Sequence, residues 1–213
     1  MVRITEIAPE IYRISVFVPE INLEFSHFES DECGGLDEWL QIAPAAEPVC
    51  GLVGAMVSVN DFAVRPARVL TRDDVFSTGR YRFRFIPTPH VPHGWDAGVL
   101  FEESEKTLFC SDLFHQWDQL EPTTSSSIIE RCKDALVQTE AGPFANYVPY
   151  THHTGLVLHN LAEYNPKTLA VMHGSSYSGD GGQALRDLAT VMREVLGPKA
   201  EQGTTAIGTV GDA

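Results

Sequence analysis

Four separate stretches of this sequence place a metal-ligand type of residue directly after a predicted strand. The first is the polar segment HFESDE at positions 27–32, and the others end in His93, Asp112 and His173. A charged or imidazole side chain at the end of an apolar strand is costly to bury without a partner. Active sites are commonly built where such strand ends meet at one edge of a sheet. The spacing therefore predicts a fold in which these strand ends converge on one polar site.

The first cluster repeats ligand-type residues at every second position. On an extended segment His27, Glu29 and Asp31 point to the same side, with Glu32 following them. Taken alone, the cluster fits a solvated acidic turn before a helix equally well, because acidic residues are common at helix starts.

The second cluster, TPHVPHGWD at 88–96, lies just past a predicted strand and is stiffened by two prolines. Either His90 or His93 could be its ligand, and the spacing to Asp112 favours His93. A metal-bound histidine usually passes its other N–H to an acceptor. We therefore expect Trp95 and Asp96 to support the site.

The order H-x-E-x-D, then His, then Asp, then His resembles the metallo-β-lactamase fold. Glu in the second place resembles the diiron domain of flavodiiron proteins and the free-standing oxygen-binding diiron proteins. The gaps are 62 residues from Asp31 to His93, 19 to Asp112 and 61 to His173, close to that family's spacing. The resemblance extends from about residue 7 to residue 196.

The resemblance implies a ligand set for two metal ions. One ion would be held by His27, Glu29 and His93, the other by Asp31 and His173, and Asp112 would bridge them. Glu32 stands where flavodiiron proteins usually have His, and it would be a terminal ligand or leave a water there. A ligand set with more carboxylate favours iron, or manganese, over zinc. No flavin is expected in this chain.

Strands come first and helices then alternate with strands, an order that predicts sheets sandwiched by helices. The resemblance implies the fold class in more detail: α+β, an αββα sandwich of the metallo-β-lactamase type. A single domain would span 1–196, followed by a flexible tail at 197–213. The family normally has more strands and a helix before its H-x-E-x-D segment, so the N-terminal sheet is expected to be short.

The periodicity predicts strands at 9–17, 22–25, 81–87, 99–102, 107–111 and 168–172, with a hairpin joining 99–102 to 107–111. A short helix is predicted after an Asp31 N-cap, with Cys33, Leu36, Trp39 and Leu40 on its inner face. Further helices are predicted at 51–62 (or a buried strand), 128–139 after a Ser127 cap, 156–164 and 182–196. Loops are predicted at 118–126 and 142–154.

Composition narrows the partners. The net charge of −14 argues against nucleic acid and anionic membranes. The sequence shows no signal peptide and no apolar run of transmembrane length. The four cysteines, Cys33, Cys50, Cys110 and Cys132, are scattered and are expected to be free, mostly buried thiols in a cytoplasmic protein.

The predictions for the remaining histidines and for Gly174 are less specific. His115, His152 and His153 either line the mouth of a pocket or lie on the surface, and His159 is expected to be structural. Gly174 is expected to let the backbone pass close to the site.

Three functions fit these residues. The first is a diiron protein that reacts with dioxygen, nitric oxide or peroxide, as an oxidoreductase with an external electron donor or as an oxygen sensor. The second is a dinuclear metallohydrolase acting on an ester, thioester or phosphodiester. The third is a degenerate domain with a structural role. A homo-oligomer is compatible with all three.

Overall fold

The chain begins with an antiparallel meander. A computed structural model describes residues 2–18, 23–25 and 36–198. Strands β1 (Val2–Ala8) and β2 (Ile11–Val18) form a hairpin, and β3 (Leu23–Phe25) pairs with the outer edge of β2. This three-stranded sheet is the short N-terminal sheet that the sequence predicts.

A small helical unit follows. Helix α1 (Leu36–Ile42) precedes strand β4 (Val49–Gly51), helix α2 (52–62) and strand β5 (Arg68–Leu70). The middle of α2, Ala55–Val59, is π-helical. Strands β4 and β5 pair in parallel, while Leu36, Leu40 and Val59 form a small apolar cluster of their own.

The larger sheet has seven strands. In chain order they are β6 (Val75–Thr78), β7 (Tyr81–Pro87), β8 (Gly98–Glu102), β9 (Thr107–Phe109), β10 (Thr123–Thr124), β11 (Thr168–Ala170) and β12 (Ser176–Ser178). Their spatial order is β10-β12-β11-β9-β8-β7-β6. Strands β6 to β9 are antiparallel neighbours, and β11 joins β9 in parallel.

Three helices cover one face of this sheet: α3 (Ile129–Ala141), α4 (Thr154–Ala162) and α5 (Gly181–Leu196). Alternate residues of each strand point to opposite faces. Leu108 and Leu169 pack with Leu185 in the main core under the helices. Phe109 and Ala170 face the other way, against the hairpin of β1 and β2.

Most element predictions are confirmed within two residues, including the hairpin of β8 and β9 and the helical nature of 52–62. Six strands were not predicted: β1, β4, β5, β6, β12 and the two-residue β10, which lies within the loop predicted at 118–126. In β1 a register shift between Glu6 and Ala8 breaks the alternation. Trp39 was wrongly predicted to face inward: 47% of its surface is exposed, while Leu36 and Leu40 are buried.

Two helix starts differ from the prediction. Ile128, not Ser127, occupies the N-cap position of α3, although the Ser127 hydroxyl accepts a 3.4 Å hydrogen bond from the Ile129 N–H. Helix α4 starts at Thr154, two residues earlier than predicted. The predicted cap Asp31, Cys33 and most of the tail (199–213) lie outside the described residues.

Candidate metal centre

Three of the predicted strand ends meet at one edge of the larger sheet. His93 lies in the loop after β7, Asp112 follows β9 and His173 follows β11. Strands β9 and β11 are parallel neighbours, with Phe109 beside Ala170, so their carboxyl ends lie side by side. Strand β7 runs in the same direction because two antiparallel pairings separate it from β9. The topology therefore brings all three side chains to one place.

Asp112 lies between two histidines. Its Oδ2 atom is 2.6 Å from Nε2 of His93, and its Oδ1 atom is 3.1 Å from Nε2 of His173. Only 11% of the Asp112 side chain and 7% of the His173 side chain are exposed. Each carboxylate oxygen thus faces a different imidazole.

The protonation of Asp112 follows from these contacts. Burial alone raises the pKa of its carboxyl group, but hydrogen bonds and charge interactions with His173 and His93 outweigh burial. The pKa of Asp112 is therefore held far below its usual range, and the group is an anion at neutral pH. An anionic carboxylate is the form that binds a metal ion.

His115 was expected either to line a pocket mouth or to lie on the surface, and the structure places it on the cavity wall beside the predicted ligands. It was not predicted to be a metal ligand. One ligand atom each of Asp112, His115 and His173 lie within 4.8 Å of one another, and the rings of His115 and His173 are 4.7 Å apart between centroids. His115 comes three residues after Asp112, on the turn that follows β9, and not at a strand end. The available signal was the D-x-x-H spacing itself.

Tyr147 borders the same cluster from the loop between α3 and α4. Its hydroxyl lies 3.1 Å from Nε2 of His93, the nitrogen that also faces Asp112, and the two rings are 4.4 Å apart between centroids. A phenol at this point can donate a hydrogen bond into the site.

Gln116 joins the loops that carry Asp112 and His173. Its side chain is buried, donates to the carbonyls of Phe114 and Ser175, and accepts from the Ser175 N–H. Its own backbone N–H donates to the His173 carbonyl at 2.9 Å. Gln116 therefore links the two ligand loops through both its side chain and its backbone.

Gly174 makes this arrangement possible. It has a φ of +106°, and a Cβ atom there would collide with the Gln116 side chain. The prediction of a close backbone approach at Gly174 is confirmed. Ser111 and Phe114, which flank Asp112, also have positive φ values of 50° and 65°, and such conformations concentrate at functional sites.

A cavity of about 250 Å³ opens from this cluster toward the helices. His93, Asp112, His115 and His173 lie on its wall together with Tyr147. The rest of the wall is mostly apolar and comes from α3, α5 and the loop between α3 and α4. A larger, more polar cavity of about 510 Å³ lies on the other side of His93 and contains Cys50, Trp95 and Asp96.

Of the two histidines in the loop after β7, the structure places His93, and not His90, in the cluster. His93 lies in the cluster, whereas His90 is exposed and has a φ of 64°. Trp95 is exposed over 66% of its surface. Asp96 lies near Cys50. Burial of the Cys50 thiol and, to a smaller extent, the charge of Asp96 raise the pKa of that thiol.

The remaining histidines of the described segments are on the surface. His152 and His153 are exposed and their rings lie 3.8 Å apart, and exposed His159 contacts the Gly155 carbonyl. Cys110 and Cys132 are buried free thiols, as predicted, and Cys50 is half-buried and free. Four predicted site residues lie outside the described residues: His27, Glu29, Asp31 and Glu32.

The described donors suit a transition metal. Three imidazoles and one carboxylate converge, and such a set fits zinc, iron or manganese. Whether these residues bind metal stays a prediction, as does the role of each.

No protein-family model matches the sequence, and the search of curated proteins found no match. Among the described residues, no helix is long and apolar enough to cross a membrane.

Solved structures do match. Rubredoxin oxygen:oxidoreductase from Desulfovibrio gigas is 14% identical, with a TM-score of 0.68 over 88% of this chain and 61% of that one. A metal-soaked flavodiiron core from Synechocystis is 16% identical, with a TM-score of 0.69 over 91% and 61%. The flavodiiron protein from Giardia intestinalis is 15% identical, with a TM-score of 0.62 over 91% and 60%.

The chain thus spans about three fifths of the length of these proteins. At such low identity the likeness concerns the fold, and it covers about nine tenths of this chain. The α+β prediction is confirmed, and the chain has the metallo-β-lactamase-like fold of the diiron domain of flavodiiron proteins.

Proposed function

We propose that this chain binds two metal ions, iron in preference to zinc or manganese, and reacts with dioxygen, nitric oxide or peroxide. It would act as an oxidoreductase supplied by an external electron donor, or as an oxygen sensor. The observation that carries the proposal is the position of Asp112, whose two oxygens face two different histidines. A carboxylate placed in this way can hold one ion with each oxygen.

The ligand set would draw on both halves of the chain. The described cluster supplies His93 and His173 on either side of Asp112, with His115 as an added candidate. The predicted ligands His27, Glu29 and Asp31, with Glu32 beside them, would complete it. When bound, two irons would supply one-electron redox chemistry toward a small oxidant.

The residues of the chain have separable tasks in this proposal. Gln116 holds the Asp112 and His173 loops at a constant separation. Tyr147 can direct a proton toward the His93 side of the site. The apolar wall of the cavity limits water at the approach to the cluster.

The test is metal analysis of anaerobically purified protein, followed by an air pulse monitored by absorbance. Two irons per chain and a new near-ultraviolet absorption band after the air pulse are expected. Two zincs, no spectral change and turnover of an ester would overturn the proposal. Protein that cannot be loaded with any metal would favour the structural role.

A metallohydrolase is the second candidate, and the size of the cavity favours it. About 250 Å³ beside the cluster exceeds what a diatomic molecule needs and would admit the apolar part of an ester or thioester. A panel of such esters, assayed with zinc-loaded and with iron-loaded protein, separates the two functions.

A further inference from the structure

The two oxygens of Asp112 have different surroundings. Its Oδ2 atom faces the His93 imidazole, and its Oδ1 atom faces the His173 imidazole. A further imidazole lies near the second of these pairs, because one ligand atom each of Asp112, His115 and His173 lie within 4.8 Å of one another. The described residues on the His173 side thus offer two imidazoles and one carboxylate.

The backbone holds His115 beside His173. The residue after His115 is Gln116, whose N–H donates to the His173 carbonyl at 2.9 Å, so the two chain segments run next to each other. The two imidazole rings lie 4.7 Å apart between centroids. The His115 ring also meets Trp117 in an edge-to-face arrangement, with the centroids 4.8 Å apart. These contacts limit the positions that the His115 ring can take.

The spread of the three donor atoms suits a single ion. Imidazole nitrogen and carboxylate oxygen bind a transition metal at about 2.0–2.2 Å, so two donors of one ion are at most about 4.4 Å apart. The three atoms are therefore close to the spacing that one ion requires. Two imidazoles and one carboxylate form the facial ligand set typical of non-haem iron(II), which leaves coordination positions open.

The predicted ligand set is uneven without His115. The ion on the His93 side would have four protein ligands, whereas the ion on the His173 side would have three. One of those three, Asp31, comes from the first half of the chain. His115 would raise the smaller number to four, and three of the four would then lie between residues 112 and 173.

We propose that His115 is a ligand of the ion on the His173 side, so that Asp112, His115 and His173 hold one metal ion without any ligand from the first half of the chain. This inference rests on the proposed function only for the presence of a metal ion, and it holds whether the chain takes up one ion or two. All three residues lie on the wall of the cavity of about 250 Å³, so a small molecule in that cavity would reach the ion.

The test is titration of the full-length chain with Co²⁺, followed through the visible absorption of bound cobalt. His27→Ala, Glu29→Ala and Asp31→Ala are first combined in one triple variant, which should still bind one ion. Adding His115→Ala should weaken binding at least about a hundredfold, because even a residue that only supports a ligand contributes about 10- to 100-fold. Adding His152→Ala, a change at an exposed histidine, should leave the affinity unchanged.

A cysteine at position 115 gives a signature that does not depend on affinity. A thiolate bound to cobalt produces a sulfur-to-cobalt charge-transfer band in the near ultraviolet. The triple variant with His115→Cys should gain this band, and the triple variant with His152→Cys should not. If His115→Ala does not fold, the His115→Cys variant decides the question.

Three results would overturn the proposal. They are a triple variant that binds no Co²⁺ although the unaltered chain does, a His115→Ala affinity equal to that of His152→Ala, and a folded His115→Cys variant without the band. A failure of the proposed function gives a different result. The unaltered chain would then take up one ion and not two, or would not react with dioxygen, while the effects of changes at His115 would remain.

Discussion

The two halves of the molecule are built differently. The part from β6 to α5 has one continuous core, in which buried residues of three strands pack against three helices. The part before β6 has two small apolar clusters, one under the first hairpin and one between α1 and α2. The described ligand candidates all lie in loops of the larger sheet, next to the large core. This difference indicates that the second half can hold its donors in place by itself.

The largest effect is expected from Asp112→Asn. Because Asp112 would serve both metal ions, replacing its carboxylate by an amide should abolish stable loading of either. Metal analysis after anaerobic iron loading measures this effect. Asp134→Asn, an exposed change on α3, is the control and should load normally. If the Asp112 variant takes up two metal ions normally, Asp112 does not bridge them.

Glu29→Ala tests the first half of the chain directly. If the predicted N-terminal ligands are real, this variant should retain one ion of two, because Glu29 is expected to serve only one position. Glu38→Ala, on the exposed side of α1, should keep both. Unchanged loading of the Glu29 variant would mean that the second half alone supplies the ligands.

Shortening one buried leucine in each half should lower the free energy of unfolding by different amounts. Leu185→Ala in the main core should lower the free energy of unfolding by about 2–5 kcal/mol, and Leu40→Ala in the small cluster by an amount near the lower limit of that range. The cost of truncation depends on how readily the surroundings collapse, and a small peripheral cluster can collapse more easily. Chemical denaturation measures both, and a larger loss for Leu40→Ala would contradict the comparison.

Glu102→Gln should have the smallest effect, about 1–3 kcal/mol. Glu102 is fully buried and accepts hydrogen bonds from the backbone of Ser104 at 2.8 Å and Glu105 at 2.6 Å. Burial raises its pKa, but these donors outweigh burial and the net shift is downward. A lowered pKa contributes stability above the unfolded value of about 4.3, and that stability is lost as the pH falls below it.

Unfolding midpoints measured between neutral pH and about pH 3 test this prediction. The unaltered chain should lose stability more steeply on acidification than the Gln variant does. Glu105→Gln changes an exposed carboxylate of the same turn and should behave like the unaltered chain.

The sequence predicted the strands best where a buried face imposes strict alternation. β7 and the hairpin of β8 and β9 are examples, since their inward residues meet a continuous core. Strand β1 was missed because the shift near Ile7 breaks the alternation. The exposed position of Trp39 could not be read from helical spacing, which places it beside Leu36 and Leu40 but does not say how wide the buried face is.

The candidate site was predictable in part for a related reason. His93, Asp112 and His173 follow strands, so the sheet topology brings them to the same edge of the sheet. His115 depends on the backbone path after Asp112, where Ser111 and Phe114 have left-handed conformations. No periodic pattern encodes such a path. Gln116 was missed because its contacts join residues that are 59 positions apart.

The close packing of Gln116 against Gly174 has a consequence for how a metal would enter. The separation of the two ligand loops is already set when the chain folds, so an arriving ion would find its donors in position and would not have to order them. Metal uptake would then be governed by the rate at which the ion sheds its water, rather than by a rearrangement of the protein. A bulkier residue at position 174 would collide with the Gln116 side chain and shift the two ligand loops. The metal site would then have to rearrange each time an ion binds.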